Sequence, residues 1–370
     1  MTASVIGISL GHLSSFEAGL GEFAHRLGEG LAKRAATFRE NKLRLCFHMP
    51  EHLHGAFGAE VDYIAYRPRQ RFAPWRLDRC VLWHNTFQHN ITRPPMGVPH
   101  RIVTVHDLNY RYVRTGPGSW RDALLTRIAI ARSNCLVSIS DYVGEDVRRH
   151  VTARGRRVTI HNGATDLSDA PQRAVDELAG RRFFFHLSRM APSKNVRSLV
   201  ELARSWPERT FVLAGPAWGH SRQLHDELAD TLPNVHVLLG IDEAVKAWLL
   251  AHCEAFLFPS LAEGFGLPPL EAMHFGAPVF LSRLTSLPEI GGLQAAYFDD
   301  FSPRSMRATI ESEMPRLQAH RDDTRRRARQ FDWGACVSKY AQLYGDLVSG
   351  RVPDVRGETE LTPAKRTAKQ

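Results

Sequence analysis

The stretch Phe256–Ile290, FLFPSLAEGFGLPPLEAMHFGAPVFLSRLTSLPEI, constrains the fold of this chain more than any other. A short apolar run over 255–258 ends at Pro259-Ser260, and a loop punctuated by Gly264 and Gly266 follows. Pro268 and Pro269 sit where a helix can begin, and a second apolar run over 278–281 comes after Gly276. Proline is tolerated in the first turn of a helix, and short apolar runs bounded by turn residues read as buried strands. The pattern predicts strand, loop, helix and strand: one unit of an α/β fold with a parallel sheet.

Glu263 opens that loop and Glu271 lies one turn into the helix. Gly264 and Gly266 would let the backbone near a ligand without a Cβ in the way. The N–H groups of the helix start would face the same point, which suits an anion. Beside a phosphate, a carboxylate needs a hydroxyl-rich partner, and a sugar diphosphate supplies both. Each glutamate alone reads as well as an ordinary first-turn or loop acid; the pair is the signal.

The chain has 370 residues, enough for two domains, and 43% of them are apolar, as in folded globular proteins. No run approaches the roughly 20 apolar residues of a membrane-spanning helix, and the first residues lack a basic leader pattern. Five scattered cysteines without a C-x-x-C pair argue against a disulfide framework or a structural zinc site, and a cytoplasmic protein is expected. The net charge is +9; residues 1–170 hold 23 Lys and Arg against 15 Asp and Glu, and residues 171–370 hold 25 against 24. The first half therefore carries the charge, with Arg67, Arg69, Arg71, Phe72, Trp75, Arg76 and Arg79 in one segment. That segment suits an anionic membrane surface, and reads equally as a solvated loop.

In chain order, Val5–Leu10 is a strand, and a loop leads through Gly19 and Gly21 into a helix with Phe23, Ala24, Leu27 and Leu31 on one face. These glycines match G-x-G-x-x-A, but they lie too far beyond the strand for a dinucleotide fingerprint. Arg101–Val105 is a strand with His106 and Asp107 at its carboxyl tip, where ligands bind in open α/β sheets. Ser140 should cap a helix, and the polar run after Gly163 reads as a linker. After the strand at 182–187, Arg189 and Lys194 stand five apart on a loop before a helix, an arrangement fit to clamp an anion. The strand at 235–239 ends in Gly240-Ile241. Residues 350–370 are polar and expected to be disordered, with Lys365, Arg366 and Lys369 as further surface charge.

Glu263-Gly-Phe-Gly-Leu-Pro-Pro-Leu-Glu271, continued by Ala272, Met273, Gly276, Pro278, Ser282 and Ser286-Leu-Pro-Glu-Ile290, resembles the signature of the family 4 glycosyltransferases, retaining enzymes of the GT-B fold. T-V-H-D at 104–107 and R-x-x-x-x-K-N at 189–195 resemble further elements of that family, with Ser188 in place of a glycine and His161 in place of a proline. The resemblance implies two Rossmann-like domains facing across a cleft, an acceptor-side domain over 1–165 and a nucleotide-sugar domain over 166–349. It implies that Glu271 holds the ribose, that Glu263 with Phe265, Gly266 and Leu267 holds the sugar, and that Arg189 and Lys194 neutralise the diphosphate. His106 would reach the sugar from the first domain, Gly19 and Gly21 would lie near the diphosphate, and Gly240 and Ile241 near the base. No cofactor and no metal are expected for the chemistry.

The expected activity is transfer of a hexose, first of all mannose from GDP-mannose, to a glycan or lipid-linked acceptor in surface polysaccharide or lipopolysaccharide synthesis. UDP- and dTDP-sugars are the alternative donors. A sugar-nucleotide epimerase of the same fold and a non-enzymatic basic binding protein are the competing classes. Peripheral contact with an anionic membrane is expected, and a nucleic-acid partner is not, since that would leave the glycine loops and glutamates unexplained.

Overall fold

The computed structural model describes residues 3–16, 19–113, 116–228 and 231–351. The expected tail, with its three basic residues, lies outside them except for Gly350 and Arg351.

Seven strands form the first sheet: β1 (Ser4–Ser9), β2 (Leu43–Met49), β3 (Asp62–Ala65), β4 (Cys80–Asn85), β5 (His100–Val105), β6 (Cys135–Ser138) and β7 (Arg156–Thr159). All pair in parallel, in the order β3-β2-β1-β4-β5-β6-β7. The second sheet holds β8 (Phe183–Leu187), β9 (Thr210–Gly215), β10 (Val235–Leu239), β11 (Ala255–Phe258), β12 (Val279–Ser282) and β13 (Ala296–Phe298). It is also all parallel, in the order β10-β9-β8-β11-β12-β13. The two orders share one winding. Strand order reverses between β1 and β4 and again between β8 and β11, and the crevice at such a reversal, at the carboxyl ends, is where open sheets bind ligands.

Strands of a parallel sheet are covered on both faces, so their apolar runs are continuous. β11 reads Ala-Phe-Leu-Phe and is fully buried. A buried apolar cluster runs from Val105 and Ile139 in the first half to Phe265, Leu287 and Ile290 in the second, so the two sheets share a packed interface. The last helix, Trp333–Ser349, packs on Leu20–Ala32, and its Tyr340 and Tyr344 are buried there with Phe23 and Leu27. Buried hydroxyls need partners. His84 Nδ1 bonds the Tyr344 hydroxyl at 2.6 Å and the Thr104 hydroxyl meets that of Tyr340 at 2.9 Å.

Candidate active site

The Glu263 loop runs from β11 to the helix Leu267–His274, which begins with Leu-Pro-Pro because proline's missing N–H is no loss in a first turn. Gly266 precedes it at φ 124°, a backbone only glycine adopts easily. Thr285 Oγ1 accepts the Glu263 N–H at 3.1 Å, and the Ser286 hydroxyl donates to the carbonyls of Glu263 at 3.2 Å and Phe265 at 2.6 Å. The loop is fixed before any ligand arrives. Among the described residues, no protein acceptor takes the N–H groups of Phe265 and Gly266. The Phe265 ring is buried against Phe331, so only its backbone can face the cleft.

The loop after β8 lies beside it. Leu261 N–H donates to the Ser193 carbonyl at 2.7 Å, and Lys194 Nζ reaches Glu263 Oε1 at 2.6 Å. Both side chains are largely covered, at 14% and 11% exposure, so the pair is a charge-assisted bond in a partly dry place. Ser188, which stands where the family carries glycine, braces its own loop. Its hydroxyl donates to His186 Nε2 at 2.7 Å and accepts the Met190 N–H at 3.0 Å. Arg189, next to it, is exposed, and among the described residues no carboxylate pairs with it.

Glu271 is 3% exposed and bonds Lys246 Nζ at 2.7 Å. Burial pushes its carboxyl pKa up, against the pull of Lys246, while Glu22 adds to the rise from across the cleft. Lys246 escaped sequence reasoning because it lies on a different helix, Glu243–His252, and no spacing links it to Glu271. Gly240 takes φ 62° after β10, Ile241 packs against the central cluster, and Asp242 caps the helix through the Val245 N–H at 3.0 Å.

From the first half, His106 is buried with its Nε2 2.9 Å from the Thr86 carbonyl, which makes Nε2 the protonated nitrogen and leaves Nδ1 as an acceptor. Burial lowers its pKa to about 4, so the ring is neutral near pH 7. Gln88 fixes the strand tip, accepting the His106 N–H at 3.1 Å and donating to the Asp107 carbonyl at 3.0 Å. The Asp107 carboxyl is pushed up, first by burial and also by the charge of Glu263, and a Cβ on Gly264, next to Glu263, would stand 3.2 Å from its own Cβ.

Two of the predicted glycines stand tight against the protein's own backbone. A Cβ on Gly264 would meet the His106 carbonyl, and one on Gly21 would stand 2.6 Å from the Phe16 carbonyl carbon. Gly19 does face open space, at φ 47°. Sequence reasoning also missed the joint between the halves. The Ser140 hydroxyl caps its helix and donates to the Gly264 carbonyl at 2.8 Å. Glu289 accepts the Asp141 and Tyr142 N–H groups at 2.8 and 3.0 Å, and His161 Nε2 at 2.6 Å. Asp141, His161 and Glu289 bring metal-ligand atoms within 4.8 Å of one another, but these hydrogen bonds already occupy Glu289.

Residues 170–329 match the sequence family described as glycosyl transferases group 1. These residues, all in the second domain, make a group 1 glycosyltransferase domain. The chain is 26% identical over 314 residues to the serotype-specific mannosyltransferase WbdA of Escherichia coli, covering 75% of this chain and 37% of that protein. It is 29% identical over 310 residues to the O-antigen chain mannosyltransferase B of Escherichia coli, covering 76% and 74%. To the GDP-mannose:cellobiosyl-diphosphopolyprenol alpha-mannosyltransferase of Komagataeibacter xylinus it is 28% identical over 250 residues, covering 62% and 61%. The aligned part thus spans little more than a third of the length of WbdA. Sucrose-phosphate synthase from Thermosynechococcus elongatus superposes with a TM-score of 0.69 at 18% identity, over 94% of this chain and 100% of that one. That likeness, with the two parallel sheets, shows the expected GT-B fold.

Proposed function

We propose that this chain transfers mannose from GDP-mannose to a glycan or lipid-linked acceptor, with retention at the anomeric carbon, at the cytoplasmic face of a membrane where surface polysaccharide is made. One observation carries the reading: the Lys194–Glu263 pair of the second domain, with Arg189 on the same loop as Lys194, adjoins His106 and Asp107 of the first, which a Cβ on Gly264 would meet. The mannosyltransferase names of its relatives supply the sugar.

Departure of a nucleoside diphosphate builds negative charge, and Arg189, Lys194 and the amides of Phe265 and Gly266 are the groups fit to receive it. No metal is asked for in this step. Glu263 has lone pairs left beyond its bond to Lys194, so it can hold sugar hydroxyls without releasing the lysine. His106 Nδ1 accepts from a sugar hydroxyl, Glu271 holds the ribose, and the open space beside Gly19 receives the diphosphate. Gly240 and Ile241 flank the base.

Among the described residues no helix is long and apolar enough to cross a membrane. The proposed membrane contact is peripheral and uses Trp120 and Leu124, 78% and 58% exposed on the helix Pro117–Ala131, with Phe72 at 70%. Trp75 is not part of it: its indole donates to the Arg93 carbonyl at 2.7 Å and packs on Trp83.

Incubation with GDP-mannose, UDP-glucose, ADP-glucose and dTDP-rhamnose tests the function. Release of GDP from GDP-mannose alone is expected, and turnover of another donor instead would overturn the mannose reading. Sedimentation with anionic vesicles tests the membrane contact, which Trp120→Ser with Leu124→Ser should abolish.

A further inference from the structure

We propose that Thr285 is a positioning residue for the transfer step, held in a strained backbone conformation so that its hydroxyl can fix the main chain of Glu263. The inference rests on the reading above in taking Glu263 as a group that holds the sugar.

Thr285 lies on the turn between β12 and the short helix Leu287–Gly291, at the carboxyl edge of the second sheet. Strand order puts β11 between β8 and β12, so the Glu263 loop runs between the loop of Arg189 and Lys194 on one side and the turn of Thr285 on the other. Both neighbours grip it. From the β8 side, the Ser193 carbonyl accepts the Leu261 N–H at 2.7 Å and Lys194 Nζ meets Glu263 Oε1 at 2.6 Å. From the β12 side, the buried hydroxyl of Ser282 donates to the Ser260 carbonyl, and that of Ser286 donates to the carbonyls of Glu263 and Phe265. Thr285 Oγ1 completes the grip by accepting the Glu263 N–H at 3.1 Å. With its carbonyl held by Ser286 and its N–H by Thr285, the Cα that carries the Glu263 side chain is fixed from both sides.

The hold on that N–H has a cost. Thr285 takes φ 54°, in the left-handed region that a β-branched residue enters only under strain. Glycine enters it freely, and the turn after β10, at the same edge of the sheet, uses Gly240 at φ 62°. A threonine at 285 therefore keeps a hydroxyl at some loss of stability. Strain of this kind persists where the surrounding structure holds it, and it gathers at functional sites. On the other side of the Glu263 loop, Met190 at φ 53° and Asn195 at φ 51° are also left-handed. The benefit is placement: Lys194 is bound to Glu263, so a drift of the Glu263 main chain would move the cation as well as the carboxylate.

Thr285→Val, Thr285→Gly and Thr285→Ser test this. Thr285→Val keeps the shape and the strain without the acceptor, Thr285→Gly removes both acceptor and strain, and Thr285→Ser keeps the hydroxyl. Exchange of the Glu263 amide hydrogen, followed by NMR, needs no donor. It should quicken about fivefold or more in Thr285→Val and Thr285→Gly, the loss of one hydrogen bond, and stay near the parent rate in Thr285→Ser. Turnover is read with the donor that the parent uses in the panel above. In Thr285→Val and Thr285→Gly kcat should fall by about ten- to a hundredfold, with KM for the donor changed much less, and Thr285→Ser should keep most of the rate. Thr285→Gly should nonetheless melt above Thr285→Val, because it is free of the strain. A residue that served the fold alone would instead give turnover that follows Tm. Unchanged exchange in Thr285→Val, or parent kcat in either variant that lacks the hydroxyl, overturns the proposal. Glu263→Gln keeps the two readings apart. If it turns over like the parent, the role of Glu263 falls and the proposal falls with it; if it is inactive while Thr285→Val is not, the reading of Glu263 stands and Thr285 alone is removed. A panel without turnover removes the donor reading and leaves exchange to decide whether Thr285 holds Glu263.

Discussion

A Cβ built on Gly264 of the second domain would stand 1.9 Å from the carbonyl oxygen of His106 in the first. The carbonyl is backbone and a Cβ is fixed to backbone, so neither can swing away to make room. The hydroxyl of Ser140 ties the same glycine to the first domain from another side. Gly264 therefore sets how closely the Glu263 loop approaches His106. Gly264→Ala should force the halves apart, and a displacement of about 1 Å costs on the order of a hundredfold in rate. Donor affinity should fall less than turnover, because most of the groups proposed to hold the donor stay together on the second domain. Steady-state kinetics with calorimetry checks this, and wild-type turnover in a folded Gly264→Ala protein would refute it.

Glu289 acts at the same joint by charge. Its carboxyl is buried, which alone would raise its pKa, yet His161 and the N–H groups of Asp141 and Tyr142 outweigh burial and hold it below the usual range. Such a group stabilises the fold above the ordinary glutamate value, and the contribution is lost as pH falls through the depressed one. Glu289→Ala leaves two N–H groups of a helix start without their acceptor and should cost about 1–3 kcal/mol at pH 7. Denaturant unfolding reads this directly. An unchanged midpoint would mean that water replaces the carboxylate at no cost.

Fold and family were legible because they rest on local pattern. The strand at 255–258, the proline-started helix and the cap at Ser140 each depend on neighbours in sequence, and each stands where the pattern put it. Partnerships across the fold were hidden. Nothing in sequence tells that Lys194 holds Glu263, 69 residues away, or that Lys246 holds Glu271. Gly264 was legible as a position that needs glycine, while the reason, a first-domain carbonyl, is tertiary. Trp75 shows the opposite error: an aromatic among arginines reads as a surface anchor until its indole is seen to donate inward.

Arg189 offers a separation of function from stability. It is exposed, and among the described residues no carboxylate pairs with it, so Arg189→Ala should alter stability by no more than about 0.5 kcal/mol. If it neutralises the leaving diphosphate, kcat should fall about 10²–10³-fold, the cost of losing one preorganised charge-stabilising donor. Turnover in EDTA should remain nearly intact. Loss of activity in chelator, restored by Mg²⁺ or Mn²⁺, would transfer this role to a metal.

Glu271 should show a conflict between binding and stability. Its burial disfavours the charge it carries, and Lys246, 20% exposed, can turn to water when the carboxylate is gone. Glu271→Gln should therefore leave Tm unchanged or higher. Donor affinity should fall by about 1.5–3 kcal/mol if the carboxylate holds the ribose. Equal affinity in the two proteins would remove Glu271 from the nucleotide site.

Acid should weaken this protein through four buried histidines. Burial lowers His48, His106 and His186 to about 4 and His84 to about 3, all from an ordinary value of 6.5. The unfolded chain then binds more protons than the native one between pH 6.5 and about 4, so stability rises with pH across that window. The contribution of each neutral ring is fully present above pH 6.5 and is lost as pH falls toward its folded value. His84 and His186 lie under the last helix and beside the Arg189 loop, so acid should loosen both attachments. Unfolding free energy should drop by several kcal/mol from pH 7 to pH 5, an order of magnitude set by the depth of these shifts. The four ring resonances should stay neutral in the folded protein down to about pH 5. A ring that titrates near 6.5 while the protein remains folded would show that its site is open to water.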